Sequence, residues 1–362
     1  MYFTKRLQIL IGLFLLVVVY FLFLWQYSDT PVKPTYKRNL ASPDPNLIES
    51  QLKSSSPNSK IKKMPEFVYL VQTDNCLPSK LQHDDFLGNS SSCRCDVLVL
   101  SFKEECKENH LMHVQYFFST NTSWTEGRNF LYQRIKTRKH QYLYYIFMDD
   151  DIELSLHQNY TPAFMKSMAP LRTFEKYLVH HEPAVGVANY QGHDKAEDVF
   201  QKSKDLCKNW SNRTSMPTYL TTVFFDPCFN AFHRDAIDHI FPYPTEYDKT
   251  SWWHSGRHVP AAVEIIFRGH SVMFTPVVIN NPVHRPYPRG DDDLRKIWSS
   301  VVTWLRKGVP REFQNETWIQ NFVDDPADFL AKTPAMCLEL PSHYPIKPYS
   351  HFQSNASDIR KI

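Results

Sequence analysis

Short, continuous runs of apolar residues recur through the middle of the chain and predict strands that are buried on both faces. Four segments have this form: 96–102, 114–119, 142–148 and 184–190. Between them, apolar residues at helical spacing predict helices at about 124–138 and 171–180, the first opening on the capping-box sequence Ser123-Trp124-Thr125-Glu126. Strands and helices in this alternation are typical of an α/β fold with mostly parallel strands.

The N-terminal segment follows a different pattern, because residues 7–25 contain no charge and are long enough to cross a bilayer as one helix. A cleavable signal peptide is the alternative, but its apolar core is normally shorter and ends in small residues. We therefore expect an uncleaved signal-anchor. The remaining chain is predicted to form a cytoplasmic tail at 1–6, a flexible stem rich in proline, serine and lysine at 26–65, and one lumenal domain at 66–362.

Asparagine sequons indicate on which side of the membrane the large domain lies, since basic residues flank the predicted span on both sides and leave its orientation open. Seven Asn-X-Ser/Thr triplets follow the span, more than chance would give. Asn159 is the weakest, because Pro162 follows its triplet. We expect N-glycosylation at the other six, Asn89, Asn121, Asn209, Asn212, Asn315 and Asn355. This pattern predicts a single-pass type II membrane protein, and the short span suits the Golgi membrane.

Composition narrows the functional classes further. Forty-one basic and 38 acidic residues leave a net charge of +3, which does not favour a nucleic-acid binder. The chain has nine glycines and neither a dinucleotide-binding nor a P-loop motif. Seven cysteines fit an oxidising lumen, and disulfides are favoured over a zinc site for Cys93 and Cys95. The odd number leaves one thiol free or joined to a second copy of the chain in a homodimer.

Two runs of three aspartates differ in their sequence context. Residues 291–293 precede an amphipathic helix that ends at about Gly308, where acidic residues in the first turn complement the helix dipole. Residues 149–151 instead follow the predicted strand 142–148, so three mutually repelling carboxylates stand at the end of a buried strand with no cation nearby in the sequence. Such oxygen ligands predict a site for Mn²⁺ or Mg²⁺. A solvated acidic turn is the alternative.

A hydrophobic strand that ends in Asp-X-Asp, within a type II lumenal α/β domain, resembles the GT-A class of nucleotide-sugar-dependent glycosyltransferases over roughly residues 95–290. The resemblance implies a GT-A-like, Rossmann-related fold with a mixed, mostly parallel sheet flanked by helices. It also implies transfer of a sugar from a nucleotide sugar, expected to be a UDP-sugar, to a glycan, glycoprotein or glycolipid acceptor, with Mn²⁺ assisting departure of the diphosphate. The alternative is a lumenal or surface recognition protein that binds a glycan or a metal without turnover. A sulfotransferase is disfavoured, since no phosphate-binding loop follows the first strand.

The resemblance assigns a metal and nucleotide site to particular positions. Asp149 and Asp151 match the Asp-X-Asp carboxylates, with Asp151 binding the metal directly and Asp149 facing the ribose or a water on the metal; Asp150 is assigned to the nucleotide. His284, which follows the apolar run 271–279, is the expected further metal ligand, with a structural histidine as the alternative.

Two basic segments complete that site. Gly127-Arg128-Asn129 resembles an Arg-Asn pair that holds the nucleotide in several such enzymes, although Arg128 could equally be an ordinary surface charge on a helix. Arg285 and Arg289 are expected to contact the diphosphate.

The catalytic base and the acceptor site are less well defined. An inverting enzyme needs a carboxylate to accept the proton of the acceptor hydroxyl. The candidates are Asp226 at the end of an aromatic strand-like run, Asp248, and Glu264 on a predicted helix, each with a structural role as its alternative. No Trp-Gly-X-Glu-Asp stretch is present, so the base and the stereochemistry stay open. Trp252 and Trp253 are candidate sugar-stacking residues of the acceptor site, or else part of the core of a strand.

Overall fold

A nine-stranded mixed β-sheet lies at the centre of the described part of the chain. The structure is a computed structural model, and it describes residues 65–88, 93–107, 113–138, 140–190, 195–207, 210–223, 225–283, 288, 294–313 and 346–350. Its strands are β1 (Phe67–Thr73), β2 (Cys95–Ser101), β3 (Val114–Phe118), β4 (Tyr144–Asp149), β5 (Glu153–Leu156), β6 (Val185–Tyr190), β7 (Tyr219–Thr221), β8 (Phe229–His233) and β9 (Ser271–Asn280). Its helices are α1 (Ser79–Gln82), α2 (Trp124–Lys136), α3 (Pro170–His181), α4 (Lys195–Leu206), α5 (Arg234–Ile240), α6 (Trp252–Ile266) and α7 (Leu294–Gly308).

The strands of this sheet are ordered β3-β2-β1-β4-β8-β6-β9-β5, and β7 also pairs with β9. Strands β1 to β4 run parallel to one another, and β6 is parallel to β9. Strand β8 is antiparallel to both β4 and β6, and it therefore joins the two parallel parts. Strands β5 and β7 are antiparallel to β9. Six of the nine described strands thus share one direction, which makes the sheet mixed and mostly parallel.

Both faces of the sheet are covered, which explains why its strands consist of continuous apolar runs. Alternate side chains of β1 and β4 enter two separate hydrophobic clusters. One cluster contains Leu131 of α2, Val259 of α6 and Val301 of α7. The other contains Leu171 and Phe174 of α3. The two clusters place helices on both faces of the sheet, in agreement with the predicted α/β sheet flanked by helices.

The predicted elements agree with the structure at most positions. The four predicted strands correspond to β2, β3, β4 and β6, and the two predicted helices to α2 and α3. The predicted burial of β3 on both faces is wrong, because β3 is an edge strand with no buried residue. The capping box at the start of α2 is confirmed, since Ser123 Oγ accepts from the Glu126 backbone N–H at 3.1 Å and a Glu126 carboxylate oxygen accepts from the Ser123 N–H at 2.9 Å. This cap fixes the first turn of α2 at the edge of the sheet where β1, β2 and β4 end.

Helix α2 packs unusually close to β1. A Cβ atom built on Gly127 would lie 1.8 Å from Nε2 of Gln72, so only glycine fits beside the Gln72 side chain in its present position. Gln72 is paired with Asp149 in the β1–β4 register, and its Nε2 donates to the Ser123 carbonyl at 3.2 Å. The close packing brings the first two turns of α2 to the end of β4.

Several predictions about the membrane and glycosylation concern residues outside the described ranges. In the described ranges, no helix combines the length and apolar character needed to cross a membrane. The predicted span 7–25, the tail and nearly all of the stem lie outside those ranges. Asn121 and Asn212 are described and exposed. The other predicted glycosylation sites, Asn89, Asn209, Asn315 and Asn355, lie outside the described residues.

The cysteines form disulfides, as favoured over a zinc site. Cys76 is bonded to Cys106 and Cys93 to Cys95. Among the described cysteines, Cys228 is the free one, and it is buried. The prediction of a homodimer through an unpaired cysteine is therefore not supported for Cys228, because this thiol is only 4% exposed and cannot meet a second chain without a change in the fold.

Candidate functional site

The first acidic triplet lies at the carboxyl end of the central strand β4, as the sequence predicted. Asp149 is the last residue of β4, and its backbone N–H donates to the Cys228 carbonyl at 2.9 Å, which joins it to the turn before β8. Asp150 is buried, whereas a quarter of the Asp149 side chain is exposed. In α/β sheets, ligands bind beyond the carboxyl ends of parallel strands, so this edge is the expected place for a site.

One carboxylate oxygen of Asp149 accepts two hydrogen bonds from α2. Arg128 Nη2 lies 2.9 Å from Asp149 Oδ1, and Trp124 Nε1 lies 3.0 Å from the same oxygen. The guanidinium carbon of Arg128 lies 4.0 Å from the centroid of the Trp124 ring, in a cation–π contact. Burial raises the pKa of Asp149, and the Arg128 charge and the two hydrogen bonds oppose that rise. The pair fixes the direction in which this carboxylate points.

Two expectations about Arg128 are corrected by this contact. The sequence placed no cation near the triplet, and it left Arg128 as an equal candidate for a surface charge. Arg128 is only 2% exposed and forms a salt bridge with Asp149. The two residues are 21 positions apart, and the parallel pairing of β1 with β4 brings α2 beside the end of β4. Local sequence context cannot reveal a contact that depends on sheet order.

Asn129 faces a different part of the chain. Its Nδ2 donates to the Tyr243 carbonyl at 2.8 Å, and its Oδ1 accepts from the Tyr243 backbone N–H at 2.7 Å. The Tyr243 ring is buried and stacks on the Trp124 ring, with centroids 5.9 Å apart. The amide that was predicted to contact the nucleotide therefore has both polar groups bonded to protein backbone.

Asp226 is the candidate base whose turn is hydrogen-bonded to the end of β4 through Cys228, although it does not lie where the sequence placed it. It does not end a strand: it lies in the turn that precedes β8, where its Oδ1 accepts from the Cys228 backbone N–H at 3.0 Å. The aromatic run was misleading because the Asp226-Pro227 turn interrupts it. Asp226 is partly exposed, and its charge contributes to the raised pKa of Asp149. The structure thus brings Asp226 and Asp149 together at one edge of the sheet.

Asp248 joins the N-termini of two helices. Its carboxylate accepts hydrogen bonds from Ser123 Oγ, before α2, and from Ser255 Oγ, in α6, the latter at 3.3 Å. It is only 6% exposed. Burial raises the pKa of Asp248, and its hydroxyl donors Ser123 and Ser255 oppose that rise. This carboxylate is well placed to hold α2 against α6.

Glu264 lies far along α6 from these groups. Twelve residues separate it from Trp252 at the start of the helix, a rise of about 18 Å along the axis. It is 4% exposed, and its Oε1 lies 3.1 Å from Nε of Arg268. Burial raises the pKa of Glu264 to about 7, and Arg268 opposes the rise. Glu264 is therefore not part of the group around Asp149.

The adjacent tryptophans begin helix α6, so the alternative that placed them in a strand is wrong. Trp252 Nε1 donates to the Asp248 carbonyl at 3.0 Å. His284, Arg285 and Arg289 lie outside the described residues. No group of three or more His, Cys, Asp and Glu side chains in the described ranges is arranged to hold a metal ion.

Sequence reasoning missed two aromatic residues of the site. Trp124 could have been found, because a residue at the first helical position, four before Arg128, lies on the same face of α2. Tyr243 carries no such signal, since it lies 114 residues from its partner Asn129.

Neither a protein family model nor a curated protein matches the sequence. Solved structures do match. A crystal structure of GalNAc-T7 with UDP, GalNAc and Mn²⁺ matches at 9% identity, covering 75% of this chain and 59% of that chain, with a TM-score of 0.41. The chain thus spans about three fifths of the length of that structure.

Two structures of glucosyl-3-phosphoglycerate synthase from Mycobacterium tuberculosis also match. The one with Mn²⁺, UDP and phosphoglyceric acid is 10% identical, with 69% of this chain and 81% of that chain covered and a TM-score of 0.32. The one with Mn²⁺, UDP-glucose and phosphoglyceric acid is 11% identical, with 70% and 86% covered and a TM-score of 0.31. This similarity concerns the fold, and the chemistry of the site rests on its own residues.

Proposed function

We propose that the chain is a metal-dependent glycosyltransferase that moves a sugar from a nucleotide sugar, with a UDP-sugar as the donor, to a glycan or glycoconjugate acceptor. The observation that carries this proposal is the acidic triplet at the carboxyl end of β4, with Asp149 fixed by Arg128 and Trp124. A cluster of carboxylates at this edge of a mostly parallel sheet suits a cation and a phosphate-containing ligand.

The donor atoms at this edge fit a hard divalent cation. Asp149 and Asp226 lie close enough for the charge of Asp226 to raise the pKa of Asp149, which a bound cation would relieve. Asp151, together with His284 from the predicted set, would hold Mn²⁺ or Mg²⁺, and Asp149 would face the ribose. When bound, the cation would stabilise the negative charge that grows on the departing diphosphate. Arg285 would contact the same diphosphate, as its place in the predicted set suggests.

Asp226 is the proposed base. Of the three candidates it alone is partly exposed and next to Asp149, whereas Asp248 is bonded to serine hydroxyls and Glu264 lies beside Arg268. The Asp226 carboxylate would accept the proton of the acceptor hydroxyl as the new glycosidic bond forms. Trp252 would contribute an apolar surface for the acceptor sugar. The sequence supports a type II protein of the Golgi membrane, anchored by residues 7–25.

A second function has its own support. Oδ1 of Asp149 is already bonded to Arg128 and Trp124, and the described ranges hold no group of three metal-binding side chains. These observations favour a recognition protein that uses the same edge to bind a glycan without turnover.

Thermal unfolding of the full chain with a panel of nucleotide sugars, with and without Mn²⁺, separates the two functions. A ligand that binds only the folded state stabilises it by mass action and therefore raises Tm. At a ligand concentration of a hundred times Kd, the free energy of unfolding increases by about 2.7 kcal/mol. The enzyme proposal expects a Tm increase with a UDP-sugar that requires Mn²⁺, and release of UDP when an acceptor is added. A Tm increase with free glycans alone, and none with any nucleotide sugar, would establish the recognition protein instead.

A further inference from the structure

Asn129 connects helix α2 to the segment that leads into α6. Its two hydrogen bonds to the Tyr243 backbone have N···O distances of 2.7 and 2.8 Å. The side-chain amide thus pairs with both the N–H and the C=O of one residue, as a neighbouring β-strand would. Residues 241–248, between α5 and α6, contain no helix or strand of their own. The position of Tyr243 therefore depends on side-chain contacts, and Asn129 provides two of them.

The Tyr243 side chain contacts Trp124, which holds Asp149 and carries the Arg128 guanidinium on its ring. Its ring stacks on Trp124 at an interplanar angle of 28°, and on Phe241 with centroids 4.2 Å apart. Burial raises the pKa of Tyr243, and the Arg128 charge opposes that rise. Tyr243 is 2% exposed. The buried Tyr243 ring therefore supports the Trp124 ring from the segment 241–248.

Helix geometry explains why Asn129 cannot act at Asp149 directly. Trp124 and Arg128 are four residues apart, so they lie on one face of α2 and reach the same carboxylate oxygen. Asn129 follows Arg128 and lies about 100° further around the helix. Its side chain faces the segment 241–248 instead of the end of β4.

We infer that Asn129 is a positioning residue, which holds Tyr243 so that Trp124 and Arg128 stay bonded to Asp149. Any role of Asn129 in nucleotide binding rests on the proposed function. The sequence predicted that Asn129 contacts the nucleotide directly, and we infer that it acts through Arg128 instead. The geometric part of the inference does not depend on any ligand.

The first test measures that geometry in the ligand-free full chain. The exchange rate of the Trp124 indole N–H with solvent reports its hydrogen bond to Asp149, and a Trp124→Phe variant assigns its NMR signal. We expect Asn129→Ala to accelerate this exchange roughly tenfold by loosening the Tyr243 contact. Tyr132→Phe is the matched control: it removes a 2.9 Å hydrogen bond from the same helix to Asp238 and should leave the Trp124 exchange unchanged.

Asn129→Asp guards against loss of folding in the alanine variant. It keeps an acceptor for the Tyr243 N–H and loses the donor to the Tyr243 carbonyl, so we expect an intermediate exchange rate. Wild-type exchange rates in the folded alanine or aspartate variant would overturn the inference, as would equal acceleration in Tyr132→Phe.

The second test uses UDP with Mn²⁺ as the probe and asks whether Asn129 acts through Arg128. Asn129→Ala should weaken binding about tenfold in the wild-type background and hardly at all in an Arg128→Lys background, because residues that act through one another are not additive. Equal losses in both backgrounds would show a merely structural role. Absence of UDP binding by the wild-type chain would refute the proposed function, and the indole exchange would still decide the role of Asn129.

Discussion

Two arginine–carboxylate pairs lie against the sheet, and they are oriented in opposite ways. In the pair at the end of β4, the Arg128 side chain is 3% exposed and the Asp149 side chain 25%. In the pair on α3, the Arg172 side chain is 21% exposed and the Glu175 side chain 10%. The carboxylate is the more exposed partner in the first pair, and the arginine is the more exposed partner in the second.

The donors around the two carboxylates complete the contrast. Arg172 Nη1 donates to both oxygens of Glu175 at 2.6 Å, and the Tyr69 hydroxyl donates to Oε1 at 2.6 Å. Both oxygens of Glu175 are thus bonded within the protein, as a structural pair requires. At Asp149, both donors that hold the carboxylate reach the same oxygen, Oδ1. The two pairs therefore differ in which partner is buried and in how many carboxylate oxygens the protein's own donors occupy.

The largest expected effect is on the structural pair. Arg172→Ala leaves Glu175 buried without its cation, and we expect a loss of about 3 kcal/mol in the free energy of unfolding at pH 7. Because loss of Arg172 raises the pKa of Glu175 further, the deficit relative to wild type should shrink as the pH falls and Glu175 becomes neutral. Urea unfolding at pH 7 and pH 5 measures both effects.

Arg128→Ala is the matched variant of the other pair. Asp149 is more exposed than Glu175 and can be partly hydrated in place of its lost partner, so we expect a smaller loss of stability than in Arg172→Ala, together with weaker binding of UDP and Mn²⁺. If Arg128→Ala costs as much stability as Arg172→Ala, or leaves UDP binding unchanged, the contrast between the pairs fails.

A change at Asp151 tests the proposed binding of metal and nucleotide at the end of β4, separately from the stability of the fold. Asp151→Asn removes one charge and nearly keeps the shape, and relief of carboxylate repulsion should leave the fold as stable or slightly more stable. We expect metal-dependent UDP binding to weaken at least about 100-fold, or about 2.7 kcal/mol. Isothermal titration with and without Mn²⁺ measures it. Asp292→Asn changes the other acidic triplet and serves as control; equal binding by both variants would remove Asp151 from the site.

A pair of buried histidines should make stability depend on pH independently of the two arginine pairs. His233 and His270 are each 3% exposed, and burial lowers the pKa of each to about 4. His233 Nδ1 accepts from the Asp235 backbone N–H at 3.2 Å, so this ring nitrogen must be unprotonated. Of the nearby charges, the Asp235 carboxylate raises the pKa of His233 and Arg234 lowers it.

The sign of the effect follows from these shifts. Because the folded pKa lies below the unfolded value of about 6.5, the stabilisation is complete above that value and is lost as the pH falls toward 4. We expect each of the two histidines to contribute about 2 kcal/mol less stability at pH 5 than at pH 7, as measured by urea unfolding. His270→Gln should reduce this difference, whereas the exposed His239→Gln should not. A wild-type stability that is the same at both pH values would contradict the prediction.

The sequence predicted the parts of the molecule that depend on local pattern. Strands β2, β4 and β6 were found because strands covered on both faces must be apolar throughout. The triplet 149–151 was found because charges directly after such a strand are unusual. Asp226 was misplaced, because an aromatic run looks the same whether or not a turn interrupts it.

The contacts of the site could not be predicted in the same way. The Arg128–Asp149 bond depends on the order of strands in the sheet, and the Asn129–Tyr243 bonds join residues 114 positions apart. Residue type and spacing along the chain carry no information about which helix lies beside which strand end. The sequence therefore located the acidic group and left out the residues that orient it.

The smallest expected effect comes from the backbone that brings Arg128 to Asp149. In Gly127→Ala the new methyl group would meet Nε2 of Gln72 at 1.8 Å and its Cδ at 2.3 Å. The Gln72 side chain is flexible and can move, but it then loses its 3.2 Å bond to the Ser123 carbonyl. Alanine gains up to about 1 kcal/mol over glycine in a helix interior, which offsets part of this loss.

We therefore expect Gly127→Ala to lower the free energy of unfolding by about 1 kcal/mol. The double variant Gly127→Ala, Gln72→Ala removes the clash and should recover the helix gain, so that it is more stable than Gln72→Ala alone. Urea unfolding of the three variants closes this cycle. If Gly127→Ala destabilises the wild-type chain and the Gln72→Ala chain equally, the Gln72 side chain is not the reason that glycine is required at position 127. The close packing of α2 on β1 must then have another cause.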